Sequence, residues 1–203
     1  MGKAADLEKL KADITARGDL PLMESNLVFG EGNIDCAVMF VGEAPGAKEN
    51  ESERPFVGPC GDLLDCMIDK IGLKRGDVYI TNIVKRRPPG NRPPRAAEIR
   101  AYSEYLMRQI EIIDPKVIVT LGRFALSYFE PKAKLKCDHG RILPRADRWK
   151  VFPVYHPGAA LRSTQKKDLF RDDLMKLPKV VSGEPAAETA SSLPSSDASR
   201  ITS

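Results

Sequence analysis

Three short segments of this 203-residue sequence carry side chains whose types and spacing suit chemistry. The first is Gly42-Glu43-Ala44-Pro45-Gly46, followed by Glu49 and by Arg54-Pro55-Phe56-Val57-Gly58. It sets two carboxylates and one aromatic ring on a Gly- and Pro-rich turn after a strand. By pattern alone the plainer reading is favoured, a tight strand-to-helix connection. The second is Thr81-Asn82-Ile83-Val84-Lys85-Arg86-Arg87-Pro88-Pro89-Gly90-Asn91-Arg92. It reads as a solvated charged loop or as one that tracks the phosphates of a polyanion. Asn82, at a strand end, reads as the cap of a turn. The third is His156-Pro157-Gly158-Ala159-Ala160-Leu161-Arg162-Ser163. A lone His after a strand is more often structural than catalytic. His139 is the only other histidine, and nothing around it suggests a metal pair.

The surrounding pattern says how these segments are positioned. Residues 36–41 form a near-continuous apolar run ending at Gly42, the mark of a buried strand. Residues 78–81, 116–121 and 150–155 read as further strands. Helices are expected over 4–17, 61–71, 95–113, 122–129 and 165–177, from apolar residues at helical spacing. Within 95–113 the stripe is Ile99, Leu106, Ile110 and Ile113. Alternating strands and helices predict a three-layer α/β/α sandwich around a central, mostly parallel four-stranded sheet. Ligands in such folds bind at the carboxyl ends of strands. Gly42, Thr81 and Tyr155 are three such ends, and each leads into one of the three segments. The stretch 43–59 is long for a loop, which itself suggests function.

Composition bounds the rest. An apolar fraction of 42% and a charged fraction of 30% suit one globular core. The domain is expected over 1–181. A Ser/Ala/Pro-rich tail over 182–203 is expected to be disordered, because it has too little apolar surface to offset its ordering entropy. No apolar run approaches a membrane span, and residues 1–11 lack a signal-peptide pattern, so the expected location is the cytoplasm or its nucleoid. A net charge of +4 is a weak pointer to nucleic acid, but Lys85, Arg86, Arg87, Arg92 and Arg95 fall within eleven residues. Cys36, Cys60, Cys66 and Cys137 form no C-x-x-C pair and read as reduced, mostly buried thiols.

Taken together, the three segments resemble the motifs of the uracil-DNA glycosylase superfamily, most closely its family 4, over roughly residues 27–177. The most specific matches are the phrase from Val41 through Arg54-Pro55-Phe56-Val57-Gly58 to Leu64, and Val78-Tyr79-Ile80-Thr81-Asn82-Ile83-Val84-Lys85 with its Pro-Pro-Gly-Asn-Arg. The resemblance implies a base-flipping enzyme that hydrolyses the glycosidic bond of uracil in single- or double-stranded DNA during base excision repair. It implies that Phe56 stacks on the base and that Asn82 reads its edge. His156 would donate to O2, the Glu43 to Gly46 loop would add backbone donors, and Gly42 and Ala44 would belong to the substrate-binding site. Leu161 and Arg162 would enter the DNA, while Lys85, Arg86, Arg87 and Arg92 would hold phosphates. A monomer is expected, with no membrane and no metal.

Two departures qualify the resemblance. The third position of the first motif, an Asp in another branch of the superfamily, is Ala44 here. A water-activating carboxylate would then be Glu43 or Glu49, with Glu43 the first choice. Glu49 alternatively walls off the C5 side of the pocket. Family 4 members also hold an iron–sulfur cluster on four cysteines. The matching positions here are about Thr15, Gly18, Arg86 and Tyr102, none of them Cys. No cluster is therefore expected. The competing readings are a glycosylase for another deaminated base, such as hypoxanthine, and a catalytically silent DNA-binding module of the same fold.

Overall fold

The computed structural model describes residues 2–143 and 149–183. Five strands form one sheet: β1 (Glu31–Gly32), β2 (Val38–Gly42), β3 (Tyr79–Asn82), β4 (Val117–Leu121) and β5 (Lys150–Val154), in the spatial order β1-β3-β2-β4-β5. The last four are mutually parallel, as expected. The expected count of four needs one correction. β1 is a two-residue edge strand paired antiparallel to β3, too short to leave any periodicity in the sequence.

Nine helices occur among the described residues: α1 (Lys3–Ala16), α2 (Ala47–Ser52), α3 (Pro59–Lys70), α4 (Ala96–Ile113), α5 (Arg123–Phe129), α6 (Leu135–Asp138), α7 (Pro157–Ala160), α8 (Thr164–Leu174) and α9 (Leu177–Ser182). The expected helix over 165–177 is two, α8 and α9. Beyond Gly183 the expected tail lies outside the described residues.

The central strands are apolar on both faces because both faces are covered. Met39, Val41, Tyr79, Ile118 and Val151 pack with α1, α4 and α5. Their alternating neighbours Val38, Phe40, Ile80, Val119 and Phe152 pack with α3, α8 and α9. That is the period of two of a strand, sorted into two cores by the sheet. From α3 alone, Leu64 and Ile68 are fully buried, each stabilising the fold by roughly 1.5–3 kcal/mol.

α4 begins where the Glu98 carboxylate accepts from the Arg95 N–H at 2.7 Å, a capping contact three residues apart. It stops at Asp114, in the left-handed region with φ 53°. Its buried side is Tyr102, Tyr105, Leu106, Gln109, Ile110 and Ile113. The sequence stripe missed Tyr102, Tyr105 and Gln109, whose polar tips disguise them as surface residues.

β2 lies between β3 on one side and β4 on the other, so chain direction across the sheet reverses there. A crevice opens at the carboxyl ends of the strands at such a point. Gly42 and Asn82 are register partners at that end. The segments leaving β2 and β3 are then stitched together, Ile83 N–H to Gly42 O at 3.0 Å and Val84 N–H to Glu43 O at 3.1 Å.

A candidate base-binding pocket at the strand ends

At those strand ends lies a cavity of roughly 390 Å³, a size typical of small-molecule sites. The segment after β2 gives it Glu43, Ala44, Pro45, Gly46, Glu49, Phe56 and Cys60. Asn82, Pro88, Asn91 and Arg92 come from the end of β3 and its loop, and His156, Gly158 and Arg162 from the segment after β5. The three segments singled out in the sequence therefore meet in one place.

The close approach depends on glycine at two points. A Cβ on Gly42 would sit 2.4 Å from Asn82 Oδ1 and 2.5 Å from the Phe56 ring. A Cβ on Gly122, which has φ +89°, would sit 2.9 Å from that of His156. Any larger residue would push the aromatic, the amide or the imidazole out of place.

His156 and Phe56 face one another with ring centroids 5.7 Å apart. The N–H of Gly158 donates to His156 Nδ1 at 3.0 Å. A neutral imidazole with Nδ1 accepting carries its proton on Nε2, so the ring presents a donor. Burial, with a smaller contribution from Arg162, pulls its pKa down to about 4. The ring is neutral at pH 7.

Asn82 is buried, and among the described residues its Oδ1 finds no hydrogen-bond donor. An unpaired buried acceptor costs on the order of 1–3 kcal/mol, which a ligand N–H would recover. Burial pushes the Glu43 carboxyl up, against an opposing pull from Arg123. Glu49 is differently engaged: its Oε1 accepts from the Val57 N–H at 3.1 Å, tying α2 to the Phe56 turn.

Phe56 is held from behind by a residue the sequence gave no reason to notice. Arg75 donates to Pro55 O at 2.5 Å and Phe56 O at 3.3 Å, and pairs with Asp65 at 2.7 Å and Glu31 at 2.8 Å. Phe56 has φ 50°, a conformation that needs such outside support. Arg75 lies nearly twenty residues along the chain, so no local pattern joins the two.

A uracil DNA glycosylase superfamily model matches residues 29–177 of this chain. The chain belongs to that superfamily. It is 44% identical over 169 residues to the Type-4 uracil-DNA glycosylase of Saccharolobus solfataricus, covering 79% of this chain and 78% of the relative. Identity to the Type-4 enzyme of Thermotoga maritima is 41%, covering 81% of this chain and 88% of the relative. For the Archaeoglobus fulgidus Type-4 enzyme it is 42%, covering 78% and 84%.

Within this superfamily member, the structure corrects the basic loop. Lys85 is fully buried, its amine donating to Thr81 Oγ1 at 2.5 Å and Gln109 Oε1 at 2.6 Å. Burial holds that amine well below the usual lysine range. Arg86 is buried too and donates to the Ser25 carbonyl. Neither faces a phosphate. Their polar heads turn inward because residues 83–86 run back into the core after β3. Arg87 is half-buried and donates to Asn91 Oδ1 at 2.7 Å. Arg92 lines the pocket but is paired bidentately with Glu98 at 2.8 and 2.5 Å. Leu161 is 46% exposed, and Arg162 beside it is exposed as well. Pro88, Asn91 and Cys60 are pocket residues that sequence reasoning did not single out. Asn91 and Pro88 stood inside a quoted motif, whereas Cys60 gave no signal.

The four cysteines lie on separate elements, Cys36 before β2, Cys60 and Cys66 on α3, and Cys137 on α6. Among the described residues no three His, Cys, Asp or Glu side chains converge as metal ligands. At position 86 a guanidinium, and at position 102 a phenol bonded to the Pro21 carbonyl, fill the space. These residues do not fit a four-cysteine iron–sulfur cluster. His139, the other histidine, pairs with Asp173 at 2.6 Å and lines no part of the pocket.

Proposed function

We propose that this protein excises uracil from DNA by hydrolysing its N-glycosidic bond, leaving an abasic site for base excision repair. The observation that carries the reading is the pairing, in one cavity, of an Nε2–H donor on a neutral His156 with the unpartnered Oδ1 of Asn82. A uracil rotated out of the DNA would stack on Phe56. Its N3–H would donate to Asn82 Oδ1 while the amide Nδ2 donates to O4. Cytosine offers a lone pair at N3 and an amino group at position 4, so both amide atoms would face the wrong partner.

As the bond between the sugar carbon and N1 breaks, its electron pair leaves with the base and charge builds on O2. The His156 Nε2–H donates there, and a neutral donor meets that anion without giving up its proton. Water adds to the sugar carbon and passes a proton to a carboxylate. Glu43 supplies it, because Glu49 is engaged with Val57 while Glu43 lines the cavity with no such bond. Leu161 fills the vacated stack and Arg162 contacts the backbone. The same proposal has the enzyme work as a monomer in the cytoplasm, without a metal or an iron–sulfur cluster, on single- or double-stranded DNA.

The test is incubation of the purified full chain, without added metal, with an oligonucleotide carrying one uracil, followed by alkaline cleavage. Strand cleavage is expected, with kcat reduced about 10²–10³-fold in His156→Ala, the usual cost of one oxyanion donor. Binding without base release would replace the reading by that of a silent DNA-binding module. Release of hypoxanthine in preference to uracil would overturn the role given to Asn82.

A further inference from the structure

We propose that Arg86 and Tyr102 form a protein-only latch with the backbone of residues 21–25, and that both are positioning residues for the loop that carries Asn91 and Arg92. The proposal rests on the reading above of a cluster-free uracil-DNA enzyme. It names what does the cluster's structural work in this chain.

Three stretches far apart in sequence meet here: the segment after α1, the loop after β3, and the middle of α4. The superfamily resemblance would draw cluster ligands from the last two of them and from residues 15–18, at the end of α1 and just before the first. In this chain each junction is closed by hydrogen bonds between protein groups. Tyr102, fully buried on α4, donates its hydroxyl to Pro21 O at 2.7 Å. Arg86 donates to Ser25 O, and the Ser25 hydroxyl donates back across the gap to Arg87 O at 2.9 Å. Val28 N–H donates to Lys85 O at 2.8 Å. Arg17 reaches Tyr105 OH at 3.2 Å, one helical turn along α4 from Tyr102.

Between these bonds Leu20 and Leu22 are buried against the same core as Tyr102 and Tyr105. Arg86 sits one residue before the loop whose Pro88, Asn91 and Arg92 line the pocket. Whatever fixes Arg86 therefore fixes the root of that loop. The latch is polar at its joints and apolar between them, and Arg86 Nε is its one buried polar atom left without a partner among the described residues. Burial pushes the Tyr102 hydroxyl up to about 12, so it stays protonated as a donor at any ordinary pH.

The test uses the full chain purified under anaerobic conditions. Iron and acid-labile sulfide are measured, then amide hydrogen exchange, then steady-state kinetics on a uracil oligonucleotide. No stoichiometric iron or sulfide is expected in the wild type. Tyr102→Phe keeps the ring and removes one hydrogen bond. It should speed exchange over residues 20–28 and 86–92 about tenfold, while β2 and β4 are unchanged. It should raise KM several-fold and leave kcat unchanged. Arg86→Ala should show the same split more strongly, and Arg86→Lys, which keeps a donor for Ser25, should restore most of KM.

Stoichiometric iron and sulfide would overturn the proposal. So would unchanged exchange in Tyr102→Phe, or a fall in kcat with KM unchanged. If Arg86→Ala does not fold, the isosteric Tyr102→Phe decides alone. If the wild type excises no uracil, the proposed activity falls, while the exchange measurement still tests the latch.

Discussion

Asn82, Asn91 and Arg92 turn toward the cavity from the end of β3 and its loop, while Lys85 and Arg86, in the same dozen residues, turn into the protein. The two groups obey different rules. On the cavity side, Asn82 Oδ1 has no protein partner and His156 presents a bare donor. On the inner side, Lys85 is bonded to Thr81 and Gln109, and Arg86 to Ser25. Asn82 Oδ1 and the His156 ring stay open to the cavity, whereas Arg92 and Asn91 beside them are held by Glu98 and Arg87; on the inner side the Lys85 amine is bonded, while Arg86 Nε is buried without a partner among the described residues. On the proposed function, the chemistry of the cavity is tied to atoms that would meet the base. The support only has to hold a loop, so its parts can be exchanged for others of different chemistry.

The contrast can be broken from the cavity side first. Glu43→Gln should lower kcat by about 10²-fold or more, as expected for loss of a general base. It should also remove the acid limb of the kcat profile, because burial raises the Glu43 pKa and places its protonation in that limb. A pH–rate series on both proteins checks this. An acid limb that survives in the variant would return the role to Glu49.

His156 links the cavity to stability. Its folded pKa of about 4 lies below the ordinary histidine value of 6.5. Between those values the unfolded chain binds a proton that the folded chain refuses. Stability is therefore unaffected above pH 6.5, declines as pH falls toward 4, and then levels off. At pH 5 the loss is up to about 2 kcal/mol. Urea unfolding at pH 7.5 and pH 5 should show this contribution in the wild type and not in His156→Asn.

Support residues should act more weakly and mainly through KM. Arg75→Met removes the clamp on Pro55 and Phe56, and about a tenfold rise in KM is expected, near the worth of one charged hydrogen bond. A matching fall in kcat would show that Phe56 contributes to the bond-breaking step as well as to stacking. The smallest effect separates the two arginine and lysine environments. Arg162→Ala should reduce the slope of log K against log salt by about 0.7–0.9, the value of one phosphate contact. Lys85→Met should leave that slope unchanged, because a fully buried amine releases no counterion.

Much of this protein was legible in the sequence. The parallel strands were readable because residues such as Val117, Ile118 and Val119 are apolar on both faces, which happens only where both are covered. The place of the cavity was readable because strand ends followed by Gly- and Pro-rich turns converge at one edge of such a sheet, but pattern alone favoured plain readings of Phe56, Asn82 and His156, and only the resemblance to the superfamily motifs pointed to them as site residues. Side-chain direction in irregular backbone was not readable. Lys85 and Arg86 resemble surface residues in every local property, and only the fold of residues 83–86 back against α4 buries them. The tautomer of His156 needed the Gly158 N–H, and Arg75 needed the turn that sets it beneath Phe56. Residue type and local period fix which chemistry a chain holds and the elements that carry it. Which polar atoms are satisfied and which stay open depends on neighbours distant in sequence, and those are decided only when the tertiary structure closes.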